Sequence, residues 1–183
     1  MLTPPILQKL KKEQNELDKL IYQQSSIEFE WVSLWNATRL KLALFTEVAE
    51  FANELRTFKI WAKKDKINEN KVREELIDCL CFFLGLVNLY QIDYLPIISS
   101  FPETEFNDLL LDFFAKTHHL ALVEKKGLYP NQIKLTPAQL KTYQEWLTVF
   151  QHCCQKIKIE SESETELLKV YLGKKDINLG RQK

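Results

Sequence analysis

The sequence is poor in glycine and has no excess of charge of either sign. Only 4 of its 183 residues are glycine, which excludes a glycine-rich phosphate-binding loop and disfavours a turn-rich all-β fold. Its 25 basic residues are matched by 25 acidic residues. A general nucleic-acid or membrane-surface binder needs a basic excess, so we expect neither a nucleic-acid polymer nor a membrane among the partners.

Long apolar runs and cysteine motifs are also missing. No run of about 18 apolar residues occurs, and the most apolar stretch, 76–90, is interrupted by Asp78 and Asn88. The four cysteines show no Cys-x-x-Cys spacing, so neither a zinc site nor a disulfide framework is indicated. The first ten residues lack a signal-peptide pattern. These absences predict a cytoplasmic protein with reduced thiols.

The apolar residues recur at α-helical spacing through nearly the whole chain. Thr3 followed by Pro4 predicts the N-cap and first residue of a helix. Thr136 to Gln139 combines a cap, a proline and a capping-box glutamine, and predicts a helix that reaches about Lys158. The other helices are expected over 36–61, over 70–90 with Asn70 as the cap, over 103–122, and in a short segment opening at Ser163.

The same pattern predicts the fold class. No segment has the pattern of a strand, so we expect an all-α bundle of five or six helices. The length suits one domain with a sizeable core. We therefore expect a single all-α domain over 1–172 and a flexible polar tail over 173–183.

Two pairs of acidic residues lie on helix faces that should be apolar. Glu47 and Glu50 are three residues apart, so on a helix their Cβ atoms lie about 5–6 Å apart. Glu75 and Asp78 repeat this spacing on the next predicted helix. Asp78 opens a segment that is apolar on nearly every side, and a helix of that kind is buried. We therefore expect Asp78 to point inward, at least in part.

Four carboxylates gathered in a helical core would repel one another and would be costly to desolvate. No arginine or lysine occupies a matching inward position on these two helices, so a divalent cation is expected to compensate the charge. Mg²⁺ prefers carboxylates together with waters and phosphate oxygens, and no nearby set of histidines and cysteines favours zinc. Each pair alone is also typical of a solvated acidic helix face. The two pairs together are more specific.

These carboxylates resemble a known signature. Glu47 to Glu50, 24 intervening residues and Glu75 to Asp78 are similar to the Glu-x-x-Glu…Glu-x-x-Asp motif of the all-α NTP pyrophosphatase (MazG-like) superfamily. The segment from Ala43 to Trp61, which ends in Phe-Lys-Ile-Trp, resembles more narrowly the dimeric dUTPase family. Gln14 to Asp18 and Tyr171 to Gln182 are similar to the N-terminal and C-terminal motifs of that family.

The resemblance implies a homodimeric enzyme that hydrolyses dUTP to dUMP and pyrophosphate, with dUDP as a second candidate substrate. It implies two or three Mg²⁺ ions held by Glu47, Glu50, Glu75 and Asp78 as metal ligands and catalytic residues. These ions would bridge the carboxylates and the substrate phosphates and activate a water. Glu47 is expected to orient that water as the general base.

The resemblance also assigns substrate-binding roles to residues outside the carboxylate pairs. Gln14 interrupts the apolar stripe of the first helix, and its amide offers a donor and an acceptor that suit uracil. Asp18, one turn on, is expected to orient Gln14 or to contact the base. Trp61 would leave no room for a 2′-hydroxyl, and the tail would close over the phosphates. The full set is Gln14, Asp18, Asn53, Lys59, Trp61, Lys174, Asn178 and Arg181.

Two departures from the family pattern keep alternatives open. Cys81 stands where a histidine is common, and Lys175 stands where the family usually has asparagine. An all-α pyrophosphatase for another nucleotide, such as dCTP or a damaged nucleotide, is the alternative within enzymes. A non-catalytic helical adaptor with surface carboxylates is the alternative from another class.

Overall fold

The computed structural model describes residues 2–24, 34–61, 67–96, 100–123, 132–158 and 170–173. Five helices and a sixth short helical segment at 170–173 lie in these ranges, and none of the described residues forms a strand. The helices are α1 Pro4–Gln24, α2 Leu34–Leu55, α3 Glu69–Leu89, α4 Phe106–His119 and α5 Pro137–Lys156. The predicted all-α bundle of five or six helices is confirmed.

The strongest start signals in the sequence are confirmed by hydrogen bonds. The Thr136 hydroxyl accepts from the Gln139 backbone N–H at 3.3 Å, and the Gln139 side chain accepts from the Thr136 N–H at 2.8 Å. This capping box satisfies two backbone donors that α5 itself leaves unpaired. At the start of α1, the Leu7 N–H donates to the Thr3 carbonyl at 2.9 Å. Proline therefore opens both helices, as predicted.

Several helix boundaries differ from the predicted ones. α2 ends at Leu55 instead of Trp61, because Arg56 takes the left-handed conformation (φ 57°), which stops helical bonding. The cap of α3 is Asn68 instead of Asn70, since the Asn68 side chain accepts from the Lys71 N–H at 3.3 Å. α4 covers 106–119 instead of 103–122. The start predicted at Ser163 lies outside the described residues.

α2 and α3 form an antiparallel pair. Near one end of the pair, the Lys71 ammonium of α3 lies 3.2 Å from a Glu54 carboxylate oxygen of α2. Near the other end, a Cβ atom added to Gly85 of α3 would lie 3.2 Å from Leu40 of α2. The contact partners thus run in opposite directions along the two helices. A larger residue than glycine at 85 would require the Leu40 side chain to shift by a few tenths of an ångström at this close approach.

The other helices pack around α3. The Asn88 side chain of α3 donates to the Lys11 carbonyl of α1 at 3.0 Å. On another side, the Phe83 ring stacks on Trp146 of α5 with 4.0 Å between centroids. The Trp146 indole N–H donates to the Thr117 hydroxyl of α4 at 2.9 Å, so this buried polar group is satisfied.

The burial of α3 is confirmed, together with the inward position predicted for Asp78. From 75 to 87 every residue except Phe82 is buried. Glu75 is 7% exposed and Asp78 is 9% exposed. All four cysteines are buried, and none of them forms a disulfide. In the described part of the chain, none of the helices is both long and apolar enough to span a membrane.

Candidate metal and nucleotide site

Three of the four predicted ligands converge at the middle of the α2–α3 pair. Ligand oxygens of Glu47, Glu75 and Asp78 all lie within 4.8 Å of one another. The antiparallel register brings this about, because Glu47 lies between Leu40 and Glu54 on α2, opposite the middle of α3. Glu75 and Asp78 are buried and Glu47 is half-buried, with one of its carboxylate oxygens (Oε2) hidden from solvent. We name these three residues the carboxylate cluster.

The negative charge of the carboxylate cluster affects the neighbouring thiol of Cys79. Burial raises the pKa of Cys79 well above its ordinary value, and the negative charge of Glu47 is the next largest cause, with smaller contributions from Cys153, Asp78 and Glu75. Three hard oxygen donors at this separation, without histidine or thiolate among them, match the preference of Mg²⁺. The residues present therefore fit a divalent ion of this type.

Glu50, the fourth predicted ligand, takes a different position. Its side chain is exposed, and its oxygens do not belong to the carboxylate cluster. Glu50 nevertheless lies near enough to Lys71 to contribute to the raised pKa of that lysine. Its role as a ligand stays a prediction, in which it would approach the cluster from the solvent side.

Lys71 is a charged group near the carboxylates that the sequence reasoning missed. A hydrogen bond to Glu54 is the largest cause of its raised pKa, and the charges of Glu75 and Glu50 add to it. Its side chain is 51% exposed, so Lys71 lies at the rim, where solvent screens its interaction with the buried charge of the cluster. The sequence contains a sign of this proximity, because Lys71 precedes Glu75 by one helical turn and such residues lie side by side on a helix.

A second polar group lies inside the contact between α1 and α3. Gln14 is only 5% exposed. Its Nε2 atom donates to Asp18 Oδ1 at 2.6 Å, and its Oε1 atom accepts from the Tyr171 hydroxyl at 2.6 Å. Tyr171 is fully buried, and the sequence reasoning gave it no role beyond its place in the C-terminal motif. We name Gln14, Asp18 and Tyr171 the amide clamp.

The amide clamp and the carboxylate cluster lie along the same side of α3. Asp18 Oδ2 would be 3.8 Å from a Cβ atom added to Gly85. Gly85 follows Asp78 by seven residues, which is two helical turns, about 10 Å along the axis and nearly the same angular position. The two groups therefore lie on one face of α3, two helical turns apart.

Desolvation gives Asp18 an unusual titration. Burial raises its pKa from 3.8 to about 7, and the hydrogen bond from Gln14 opposes that rise only in part. The folded protein therefore binds a proton at Asp18 more tightly than the unfolded chain does. For this reason, stability is lost as the pH rises from about 4 to about 7, where Asp18 becomes charged in the folded state as well.

We expect Asp18→Asn to increase the free energy of unfolding at pH 8 by about 1–3 kcal/mol. Asparagine keeps the shape and a hydrogen-bond acceptor but removes the charge that the folded state must desolvate. Urea unfolding of both proteins at pH 4.5 and pH 8 measures the effect, with the exposed Asp108→Asn as control. The gain should be much smaller at pH 4.5. An equal gain at both pH values would contradict the assigned titration.

The remaining predicted substrate residues on the described part of the chain lie at or after the end of α2. The Lys59 ammonium donates to the side-chain and backbone oxygens of Asn53 and lies 5.6 Å from the Phe58 ring centroid. Trp61 is 76% exposed, so it is available to a ligand and is not part of the core. The structure brings neither Lys59 nor Trp61 into the carboxylate cluster. Lys174, Asn178 and Arg181 lie outside the described residues.

Comparison with models of known protein families assigns nearly the complete chain. A family model described as dUTPase matches residues 6–183, nearly the complete chain. No curated protein matches the chain significantly, and no solved structure does so either. The matched range includes every member of the carboxylate cluster and of the amide clamp.

Proposed function

Because this chain belongs to the all-α dUTPase family and is therefore a dUTP diphosphatase, we propose that it releases pyrophosphate from dUTP in a Mg²⁺-dependent reaction at the carboxylate cluster. dUDP is a second proposed substrate. The observation that carries this proposal is the convergence of Glu47, Glu75 and Asp78 within 4.8 Å between two helices whose other described buried residues are apolar.

The carboxylates have distinct proposed roles. Glu75 and Asp78, which are buried, would hold a divalent ion together with Glu47, and Glu50 would complete the ligand set from the solvent side. When bound, Mg²⁺ lowers the pKa of a coordinated water and stabilises charge on phosphate oxygens. Glu47 is the most exposed member of the cluster. We therefore assign to its carboxylate the orientation of the attacking water and the removal of its proton.

The amide clamp is the proposed base-recognition site. Gln14 already donates one N–H and accepts one hydrogen bond, and a carboxamide keeps one further donor and one further lone pair for a ligand. Uracil presents an N–H and a carbonyl on one edge, which this pair of groups complements. The clamp lies two turns of α3 from the cluster, and this separation supports the proposal that the base binds at the clamp and the phosphates bind at the cluster.

The other substrate contacts extend this arrangement. Exposed Trp61 is proposed to pack on the deoxyribose, with Lys59 and Asn53 near the phosphates. The tail over 173–183, with Lys174, Asn178 and Arg181, is proposed to close on the phosphates over a single catalytic domain of residues 1–172. Arginine suits that task because its guanidinium contacts phosphate through two hydrogen bonds.

The family relation also leads us to propose a cytoplasmic homodimer. Leu42 and Leu111 are 66% and 68% exposed in the single chain. Apolar side chains of this kind gain free energy when a second copy covers them.

The proposed reaction predicts a defined substrate profile. We expect purified protein with Mg²⁺ to convert dUTP to dUMP and pyrophosphate. We expect kcat/KM for dCTP to be lower by about 10³-fold or more, because a site built around hydrogen bonds to uracil leaves its own groups unpaired with cytosine. For dTTP we expect a lower kcat/KM because of the bulk of the thymine methyl group. Product analysis by ion-exchange chromatography distinguishes pyrophosphate from phosphate. A preference for dCTP would contradict this proposal and would favour the alternative of an all-α pyrophosphatase for another nucleotide. Failure to cleave any nucleotide would favour the other alternative, a non-catalytic helical adaptor.

A further inference from the structure

The amide of Gln14 is held between two neighbours of unequal chemistry. On one side lies the Asp18 carboxylate, 2.6 Å from Nε2, and on the other lies the Tyr171 hydroxyl, 2.6 Å from Oε1. An ionised carboxylate can only accept hydrogen bonds, whereas a tyrosine hydroxyl can donate or accept. The Asp18 charge therefore determines which end of the amide faces it.

This restraint matters because a freely rotating amide does not distinguish uracil from cytosine. The carbonyl O4 and N3–H of uracil match the N–H and the oxygen of a glutamine side chain. The amino group and bare N3 of cytosine match the same two groups after the amide turns by 180°. Discrimination through this edge thus requires that the amide be prevented from turning.

We propose that Asp18 and Tyr171 are positioning residues for Gln14: the Asp18 carboxylate selects the amide orientation that reads uracil and excludes cytosine, and the Tyr171 hydroxyl holds the selected amide in place. This inference rests on the proposed function, in which Gln14 contacts the base. It assigns to Tyr171 a role in base selection, although this residue lies 157 positions from Gln14 in the chain.

The packing around the clamp supports the lock. Asp18 lies beside Gly85 of α3, where an added Cβ atom would make an ordinary van der Waals contact with Oδ2 at 3.8 Å, so α3 forms one wall next to the carboxylate. Tyr171 is fully buried, and its pKa is raised first by burial and then by Cys81, Asp18 and Glu13. Its hydroxyl therefore stays protonated and keeps a proton to donate to Oε1.

The lock has a pH dependence that a purely structural role would not have. Once protonated, Asp18 can donate to the amide oxygen, and the turned orientation is no longer excluded. The pKa of Asp18 is about 7. The titratable groups of α1, α3 and the 170–173 segment near the clamp are Glu13, Cys81 and Tyr171. We expect the preference for dUTP over dCTP to fall as the pH is lowered from 8 to 6, and this fall to disappear in Asp18→Asn.

The test compares kcat/KM for dUTP, dCTP and dTTP in the wild type, Asp18→Asn and Tyr171→Phe, with Asp108→Asn as control. We expect Asp18→Asn to lower the dUTP-to-dCTP ratio by about 10- to 100-fold, the discrimination of one well-placed bidentate pair. Tyr171→Phe should lower it less, because a hydroxyl tolerates both amide orientations. Thymine has the same hydrogen-bonding edge as uracil, so the dUTP-to-dTTP ratio should stay unchanged.

Each contrary outcome has a separate meaning. If kcat/KM rises equally for dTTP and dCTP in Asp18→Asn, the pocket has become less selective in general, and the lock is wrong. An unchanged dUTP-to-dCTP ratio in Asp18→Asn, together with a wild-type melting curve, would also overturn the lock. If Asp18→Asn does not fold, Tyr171→Phe and the wild-type pH profile decide the question. A wild type that lacks any preference for dUTP would instead contradict the proposed function, and a Gln14→Ala variant that keeps the preference would show that the base is read elsewhere.

Discussion

Asp78→Asn is expected to lower kcat for dUTP hydrolysis by on the order of 10³-fold, with the fold retained. Asp78 is one of three carboxylates whose oxygens lie within 4.8 Å of one another, and it is 9% exposed. Asparagine has nearly the same volume but a neutral oxygen, so the charge that would hold the cation is reduced without opening a cavity. Steady-state release of pyrophosphate at saturating dUTP measures the loss.

Glu74→Gln is the matched control for this substitution. Glu74 follows Arg73 on the same helix, directly before Glu75, but its side chain is exposed. Removal of its charge should leave kcat within about twofold, since exposed charges are screened by solvent. Glu50→Gln should also abolish turnover if Glu50 completes the ligand set from outside. Near-normal turnover by Asp78→Asn would remove the carboxylate cluster from the catalytic site.

Most of the fold could be predicted because helix signals are local. Caps, prolines and the apolar period act over a few residues, and Thr136 with Gln139 forms the predicted hydrogen bonds. The end of α2 could not be predicted in this way. Apolar residues continue through Phe58 and Trp61, but Arg56 turns the backbone into the left-handed region. No side-chain pattern marks that change.

The site was predictable to the extent that it depends on spacing within one helix. The three-residue spacing and the apolar surroundings indicated Glu75 and Asp78, and the antiparallel packing brings Glu47 to them. The exposed position of Glu50 depends on the rotation of α2 against α3, which spacing alone does not determine. The bond from Tyr171 to Gln14 joins residues 157 positions apart. Local patterns carry no information about such a contact.

Removal of divalent cations is expected to abolish turnover and to lower the melting temperature. At saturating Mg²⁺, about 100 times the dissociation constant, binding to the folded state adds about 2.7 kcal/mol, which corresponds to roughly 5–10 °C for a chain of this size. Without the cation, the carboxylate cluster keeps its mutual repulsion in a desolvated position. Thermal unfolding and pyrophosphate release, with EDTA and then with excess Mg²⁺, measure both effects on one sample.

Two controls separate site binding from general ionic effects. Sodium chloride at equal ionic strength screens the repulsion between charges but cannot bridge them, so it should restore little of the melting temperature and none of the turnover. Asp78→Asn should lose most of the Mg²⁺-dependent shift, whereas Glu74→Gln should keep it. Full turnover in EDTA would contradict the metal-dependent reaction even if the enzyme still preferred dUTP. An equal Mg²⁺ shift in Asp78→Asn would place the bound ion away from the carboxylate cluster.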